Sequence, residues 1–238
     1  MITELHPANE RGHANHGWLN TFHSFSFATY FNPLRERFGC LRVLNDDVVS
    51  GGEGFDLHPH NNMEIVTIVL EGALEHRDSL GNMQVINRGE VQVMSAGTGI
   101  YHSEYNHYEN EEVKFFQIWI FPQVKGLHPR YDQKLFSVLD SENELITIVT
   151  PENMQSEESL WIHQQAYISM INLSKDHHFT YSLRIPGNGL FIMLVEGNAT
   201  VEGNQLKKRD DVAATQASKV EIRTGEQANL LIIEVPMK

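Results

Sequence analysis

Turn signals recur along this chain at short intervals, leaving room for strands but hardly for long helices. Gly51-Gly52, Glu71-Gly72, Gly81-Asn82, Arg88-Gly89 and Gly97-Thr98-Gly99 separate apolar or alternating segments. Runs of about five to eight residues at this density, bounded by glycine turns, are the pattern of an all-β barrel or sandwich. In the first half the spacing predicts strands at 22–30, 38–44, 63–70, 73–78, 83–86, 91–95 and 115–121. A second series is expected at 145–150, 167–173, 179–185, 190–196, 199–202, 219–223 and 230–235. Residues 152–164 are the best candidate for a short helical or irregular stretch. The charged segment 123–143, with Gly126 and Pro129, reads as the boundary between two β domains of similar size. The division is expected at 1–135 and 136–238.

Size and charge limit the function. The chain has 238 residues and is 41% hydrophobic, enough for a packed core in each half. Its formal charge of -13 repels phosphate backbones, so direct nucleic-acid binding is not expected. A single cysteine, Cys40, excludes an intramolecular disulfide and suits a reducing compartment. Residues 1–17 are polar and lack the apolar stretch of a secretory signal, and runs such as 65–70 are too short to span a bilayer. A cytoplasmic protein without membrane attachment is the expectation.

A weak internal repeat supports two halves of one kind. The segment Ile68 to Ala73 resembles Met193 to Asn198: an apolar strand, a Glu-Gly turn, then another strand. The shift that superposes Gly72 on Gly197 carries His58 and His60 onto Leu183 and Ile185. Val220, Ile222 and Thr224 stand near the end where further ligands would fall. One metal site, in the first half, is therefore expected. His177-His178 is a poor chelate, because neighbours on a strand point to opposite faces.

The first half carries two ligand pairs, His58-Pro59-His60 and His102-Ser103-Glu104. Residues i and i+2 of an extended chain share a face. Two such strands facing each other would bring three imidazoles and one carboxylate to one point. Neutral imidazoles and a carboxylate suit a divalent transition metal and leave coordination positions open for chemistry. No thiolate is present to suggest a closed, cysteine-rich zinc site. Pro59 stiffens the first pair, and Gly97 and Gly99 allow a tight path ahead of His102. Glu64 has the same parity as His60 and competes with Glu104, as ligand or as a group behind the ligands. Most other histidines, His76 among them, read as surface or satisfied polar positions. His13, His16 and His23 could line a cavity. Phe25, Phe27 and Phe38 are candidate walls for an aromatic ligand, although ordinary strand core explains them as well.

These residues resemble the cupin superfamily and, within it, the pirin family. The first cupin motif is matched by Gly54, His58-Pro59-His60, Glu64 and Gly72. The second is matched by Gly89, Ser95-Ala96-Gly97, His102 and Asn106, with Ser95 where proline is usual. The stretches 63–79 and 95–104 are similar to pirins specifically, and 8–19 to their bacterial branch. The likeness is specific over 8–135 and loose beyond.

It implies a bicupin, two β-barrel (double-stranded β-helix) domains facing each other, with metal in the first only. It also implies that Glu104 is the fourth ligand and a proton acceptor, and that Glu64 stands behind the ligands. The activity implied is a quercetin 2,3-dioxygenase, opening a flavonol with O2 and releasing carbon monoxide. Fe(II) is the expected ion, with Zn, Ni, Mn and Cu also compatible with the ligand set. The expected partners are a small aromatic substrate and O2. The contrasting expectation is a regulatory module whose metal is read by a protein partner, since some pirins resemble transcriptional cofactors. A different cupin reaction on a small metabolite is a third, because one fold hosts many chemistries.

Overall fold

The computed structural model describes residues 1–137 and 141–238. Among the described residues twenty strands run in chain order from β1 (Ile2–His6) to β20 (Lys219–Pro236), and the only helical pieces are short 3-10 turns at Ala8–Glu10 and Glu152–Met154. The all-β expectation holds.

The first half is a pair of sheets rather than one closed barrel. The larger contains β2 (Gly12–Asn15), β3 (Leu19–His23), β4 (Leu41–Val49), β11 (Val113–Ile120), β6 (Glu64–Glu71), β9 (Glu90–Ser95) and β12 (Arg130–Leu135), in that spatial order. The smaller contains β5 (Gly54–His60), β10 (Ile100–Asn106), β7 (Ala73–Asp78) and β8 (Met83–Asn87). Their inner faces pack through Val49, Val69, Leu74, Ile86, Val113 and Phe115. The two sheets pack face to face as in a sandwich, in which alternate residues of each strand face the interior.

The second half is one nine-stranded sheet built on two long strands, β17 (Asn188–Val201) and β20. Each is continuous where the sequence suggested two strands. β17 is irregular where it pairs β20 near Glu196–Ala199, and Gly197 there lies at φ 87° with no room for a Cβ. The strand thus bends without ending. β1 crosses to this half and pairs with β19 (Asp211–Thr215). A third set of contacts joins the halves: Val66, Ile68, Phe116 and Ile118 share one apolar core with Ile148, Ile168, Phe191 and Ile233.

Three local expectations need correction. The strand expected at 22–30 ends at His23, and Phe25, Phe27 and Tyr30 lie in a loop closed by a Phe27–Tyr30 bridge. The strand expected at 38–44 begins at Leu41 and runs on to Val49. The segment read as a boundary, part of which lies outside the described residues, contains β12, whose charged residues occupy a half-buried edge of the large sheet.

Candidate metal centre and its cavity

The smaller sheet positions the ligands. β5 and β10 are not opposed across the interior, as two facing strands would be. They are neighbours in one sheet, with His102 paired directly to His58 and Ile100 to His60. The turn before β10 is held by Gly97 at φ 48°, where a Cβ would strike the Leu127 carbonyl oxygen, so only glycine fits.

The three imidazoles converge. Ring centroids lie 4.9 Å apart for His58–His60, 4.4 Å for His58–His102 and 4.9 Å for His60–His102. One nitrogen from each lies within 4.8 Å of the others. Glu104 falls in a second, overlapping group with His102 and His76, within the same limit. Its carboxylate accepts hydrogen bonds from Gln117 Nε2, at 3.0 Å and 3.3 Å, and from Thr67 Oγ1 at 3.5 Å.

Electrostatics prepare these rings for a cation. Burial, then the neighbouring His102 and His58, push His60 down to about 4. Burial, then His58 and His76, push His102 down to about 3. Both rings are therefore neutral near pH 7, with lone pairs available. His58 Nδ1 lies 2.6 Å from the Asp56 carbonyl oxygen, which can only accept, so that nitrogen carries the proton and Nε2 the lone pair. His102 is 1% exposed, and neither ring nitrogen has a hydrogen-bond partner. Such an orphaned pair is costly in a folded protein unless something binds it. The donor set and the orphaned ring fit a divalent transition metal.

Glu64 lies elsewhere. Thr67 of β6 faces Glu104, so Glu64, three residues earlier, projects from the opposite face. Its carboxylate accepts from Ser95 Oγ at 2.6 Å and pairs with His163 of the second half at 3.2 Å. Parity along the chain made Glu64 equivalent to His60, but Asn61 and Asn62 turn the chain between β5 and β6, and Asn62 sits at φ 47°. Face alternation does not carry across that turn.

His76 was read as an ordinary polar position and is instead fully buried beside the ligands. Its Nε2 donates to Asp78 Oδ2 at 3.0 Å, and both side chains are 0% exposed. The clue was present, since His76 and Asp78 have the same i, i+2 spacing as the other pairs.

A cavity of about 330 Å³ opens against His58, His60 and Glu104. Phe27, Phe55 and Trp119 form aromatic walls, and Thr21, Asn45, Asp47 and Gln117 a polar strip. His60 lies edge-on to Trp119 with centroids 4.8 Å apart. Of the candidate aromatics, Phe27 reaches the cavity, whereas Phe25 and Phe38 belong to the apolar core. His16 and His23 line the cavity, and His13 stacks outside it on Phe22. Asp47, not anticipated from sequence, is fully buried and accepts from Thr21 Oγ1. Burial raises it to about 7, with Asp46 and Glu104 adding and the Thr21 hydrogen bond opposing.

Known proteins share this architecture. Residues 4–120 match the family model described as Pirin, and 147–235 that of the quercetinase C-terminal cupin domain. A quercetin 2,3-dioxygenase of Escherichia coli K12 is 40% identical over 98% of both chains. This chain belongs to the pirin family. A pirin-like protein of Caulobacter vibrioides is 37% identical, over 96% of this chain and 97% of that protein. The crystal structure of the bacterial pirin YhhW of E. coli with nickel(II) superposes with a TM-score of 0.92 at 40% identity, covering 99% of each chain. The pirin architecture and its bicupin arrangement are thus confirmed. Among the described residues no helix is long and apolar enough to cross a membrane.

Proposed function

We propose that this pirin is a metal-dependent dioxygenase acting on flavonols such as quercetin, opening the ring with O2 and releasing carbon monoxide. One observation carries the reading: two of the convergent imidazoles, His58 and His60, line an aromatic-walled cavity of about 330 Å³ together with Glu104, within the range of small-molecule sites. The names of the E. coli relatives support it. His58, His60, His102 and Glu104 would hold one divalent ion in the first half, residues 1–135 apart from the crossing β1. The second half, 136–238, would complete the fold without ligands. Fe(II) is our expected ion, in a cytoplasmic enzyme.

When bound, the metal supplies Lewis acidity toward a phenolic oxygen and redox capacity toward O2. The chain's own residues do the rest. Phe27, Phe55 and Trp119, the first and last edge-on to each other with centroids 5.4 Å apart, offer aromatic walls to a planar ligand and exclude water. Glu104, oriented by the Gln117 amide, accepts the 3-hydroxyl proton of the flavonol. Asp47, close to neutrality, is a second group in the cavity able to take or give a proton near pH 7.

Loading the protein anaerobically with Fe(II), Mn(II), Ni(II), Cu(II) or Zn(II), then adding quercetin and O2 and assaying carbon monoxide, tests the reading. Turnover with at least one ion, lost in a combined His58→Ala and His102→Ala variant, is expected. Absence of carbon monoxide with every ion would remove the dioxygenase reading.

A further inference from the structure

Behind the proposed ligands, the inner face of the small sheet continues onto β7. In register, His102 faces Asp78 and Glu104 faces His76. Directly opposed residues on paired strands share a face, so His76 and Asp78 project to the same side as the ligands. The His76 and His102 rings are 5.3 Å apart, and His76 also packs on Tyr131 at 4.6 Å.

Three buried ring nitrogens here have no hydrogen-bond partner: His76 Nδ1 and both nitrogens of His102. The Asp78 carboxylate settles the tautomer of His76. It accepts from Nε2, so Nε2 carries the proton and Nδ1 a lone pair. Asp78 is itself held by Asn82, through backbone and side chain, and by the Leu80 amide. It is thus fixed as an acceptor. His76 is left as a buried acceptor with no donor, beside a buried ring that has one nitrogen more than a metal can use.

We propose that His102 binds metal through one nitrogen and donates the N–H of the other to His76 Nδ1, completing a metal–His102–His76–Asp78 chain that fixes the ring and its tautomer. The two rings, with centroids 5.3 Å apart, are not bonded as they stand, so the link closes by a small ring adjustment; one metal bond and one N–H···N bond then satisfy all three orphaned atoms. A metal placed on His76 as well would leave the second nitrogen of His102 without a partner. Groups that accept from a ligating histidine orient it and raise its basicity, and their loss typically weakens metal binding about 10- to 100-fold. His76 is therefore a positioning residue, acting through His102.

The proposal rests on His102 being a ligand, and the test separates the two claims. Zn(II) affinity, measured by chelator competition, is compared in wild type, His102→Ala, His76→Phe and His76→Gln. Ring nitrogens of the 15N-histidine-labelled, Zn(II)-loaded wild type are assigned by NMR. The proposal expects His76 with its proton on Nε2, and an exchange-protected N–H on His102. It expects His76→Phe to weaken Zn(II) about 10- to 100-fold and His76→Gln, which keeps an acceptor, to recover most of the loss. A packing role ranks the variants the other way, because phenylalanine preserves the ring and glutamine does not. Phe equal to or tighter than Gln, or a proton on His76 Nδ1, overturns the chain while leaving the ligand set intact. Unchanged affinity in His102→Ala overturns both. The wild-type spectrum decides the tautomer even where a variant fails to fold.

Discussion

At the scale of single residues, the cavity holds groups whose titration the protein has displaced in opposite directions. Asp47 is raised to about 7 by burial, so the folded state holds a proton there that the unfolded chain releases near 4. Between those values folding takes up a proton, and stability falls as pH rises. Asp47→Asn should therefore gain stability relative to wild type as pH climbs from about 4 to about 7, by several kcal/mol at most, at about 1.4 kcal/mol per pH unit. Urea denaturation at pH 4.5 and 7.5 measures it, and a constant difference would contradict it. His60 and His102 act with the opposite sign. Their folded values of about 4 and about 3 lie below the unfolded value near 6.5, so the apo protein should lose stability as pH falls below about 6.5. Replacing both with Gln should flatten that limb in thermal melts. Asp47 was invisible in the sequence because nothing there marks an inward-facing carboxylate on β4. The residue follows Asp46, which bonds outward to Arg209 at 2.8 Å. His58, His60 and His102 were legible because the i, i+2 rule operates within a strand, and it failed for Glu64 because a turn intervenes.

At the scale of elements, the site depends on the approach to β10. Gly97 sits in the left-handed region with the Leu127 carbonyl oxygen 2.1 Å from where a Cβ would stand. Gly97→Ala should cost about 2 kcal/mol or more, from left-handed backbone strain and displacement of the 127–128 segment. It should also weaken metal binding, because His102 lies on β10, the strand that this turn leads into. Differential scanning calorimetry and the chelator assay check both, and an unchanged melting temperature would contradict the assignment. Gly97-Thr98-Gly99 was read correctly from sequence, since tight turns announce themselves in glycine. The aromatic run at 22–30 misled for a physical reason. Its alternation matches a strand, yet Phe25 turns into the core shared with the second half while Phe27 turns to the cavity. A loop can satisfy the same burial pattern with two separate destinations. β12 was missed because charged residues suit a half-buried edge strand as well as a linker.

At the scale of the whole molecule, the halves fold as partners. Phe116 is fully buried in a core that contains residues from both, and Phe116→Ala should cost about 3–5 kcal/mol. The Glu64–His163 pair adds a polar tie across the same boundary, with Glu64 only 2% exposed. Its hydrogen bond to Glu64 raises His163 above its usual range, so this contribution is fully present below about 6.5 and fades as pH rises through the raised value. His163→Ala should destabilise the protein more at pH 6 than at pH 8.5, read from denaturant midpoints, and equal losses would contradict the pairing. The duplicated strand–Glu-Gly–strand unit made two like halves legible. The crossing of β1 to β19 was not, because a short, half-polar strand carries no sign of which sheet edge it will join.

The proposed function requires that one metal centre at the end of the aromatic cavity receive a flavonol. Anomalous diffraction from crystals loaded with a single divalent metal and soaked anaerobically with quercetin tests it most directly. One strong peak among His58, His60, His102 and Glu104 is expected, with planar density in the cavity lined by Phe27, Phe55 and Trp119. A peak at other residues, or a flavonol bound outside the cavity, would contradict it.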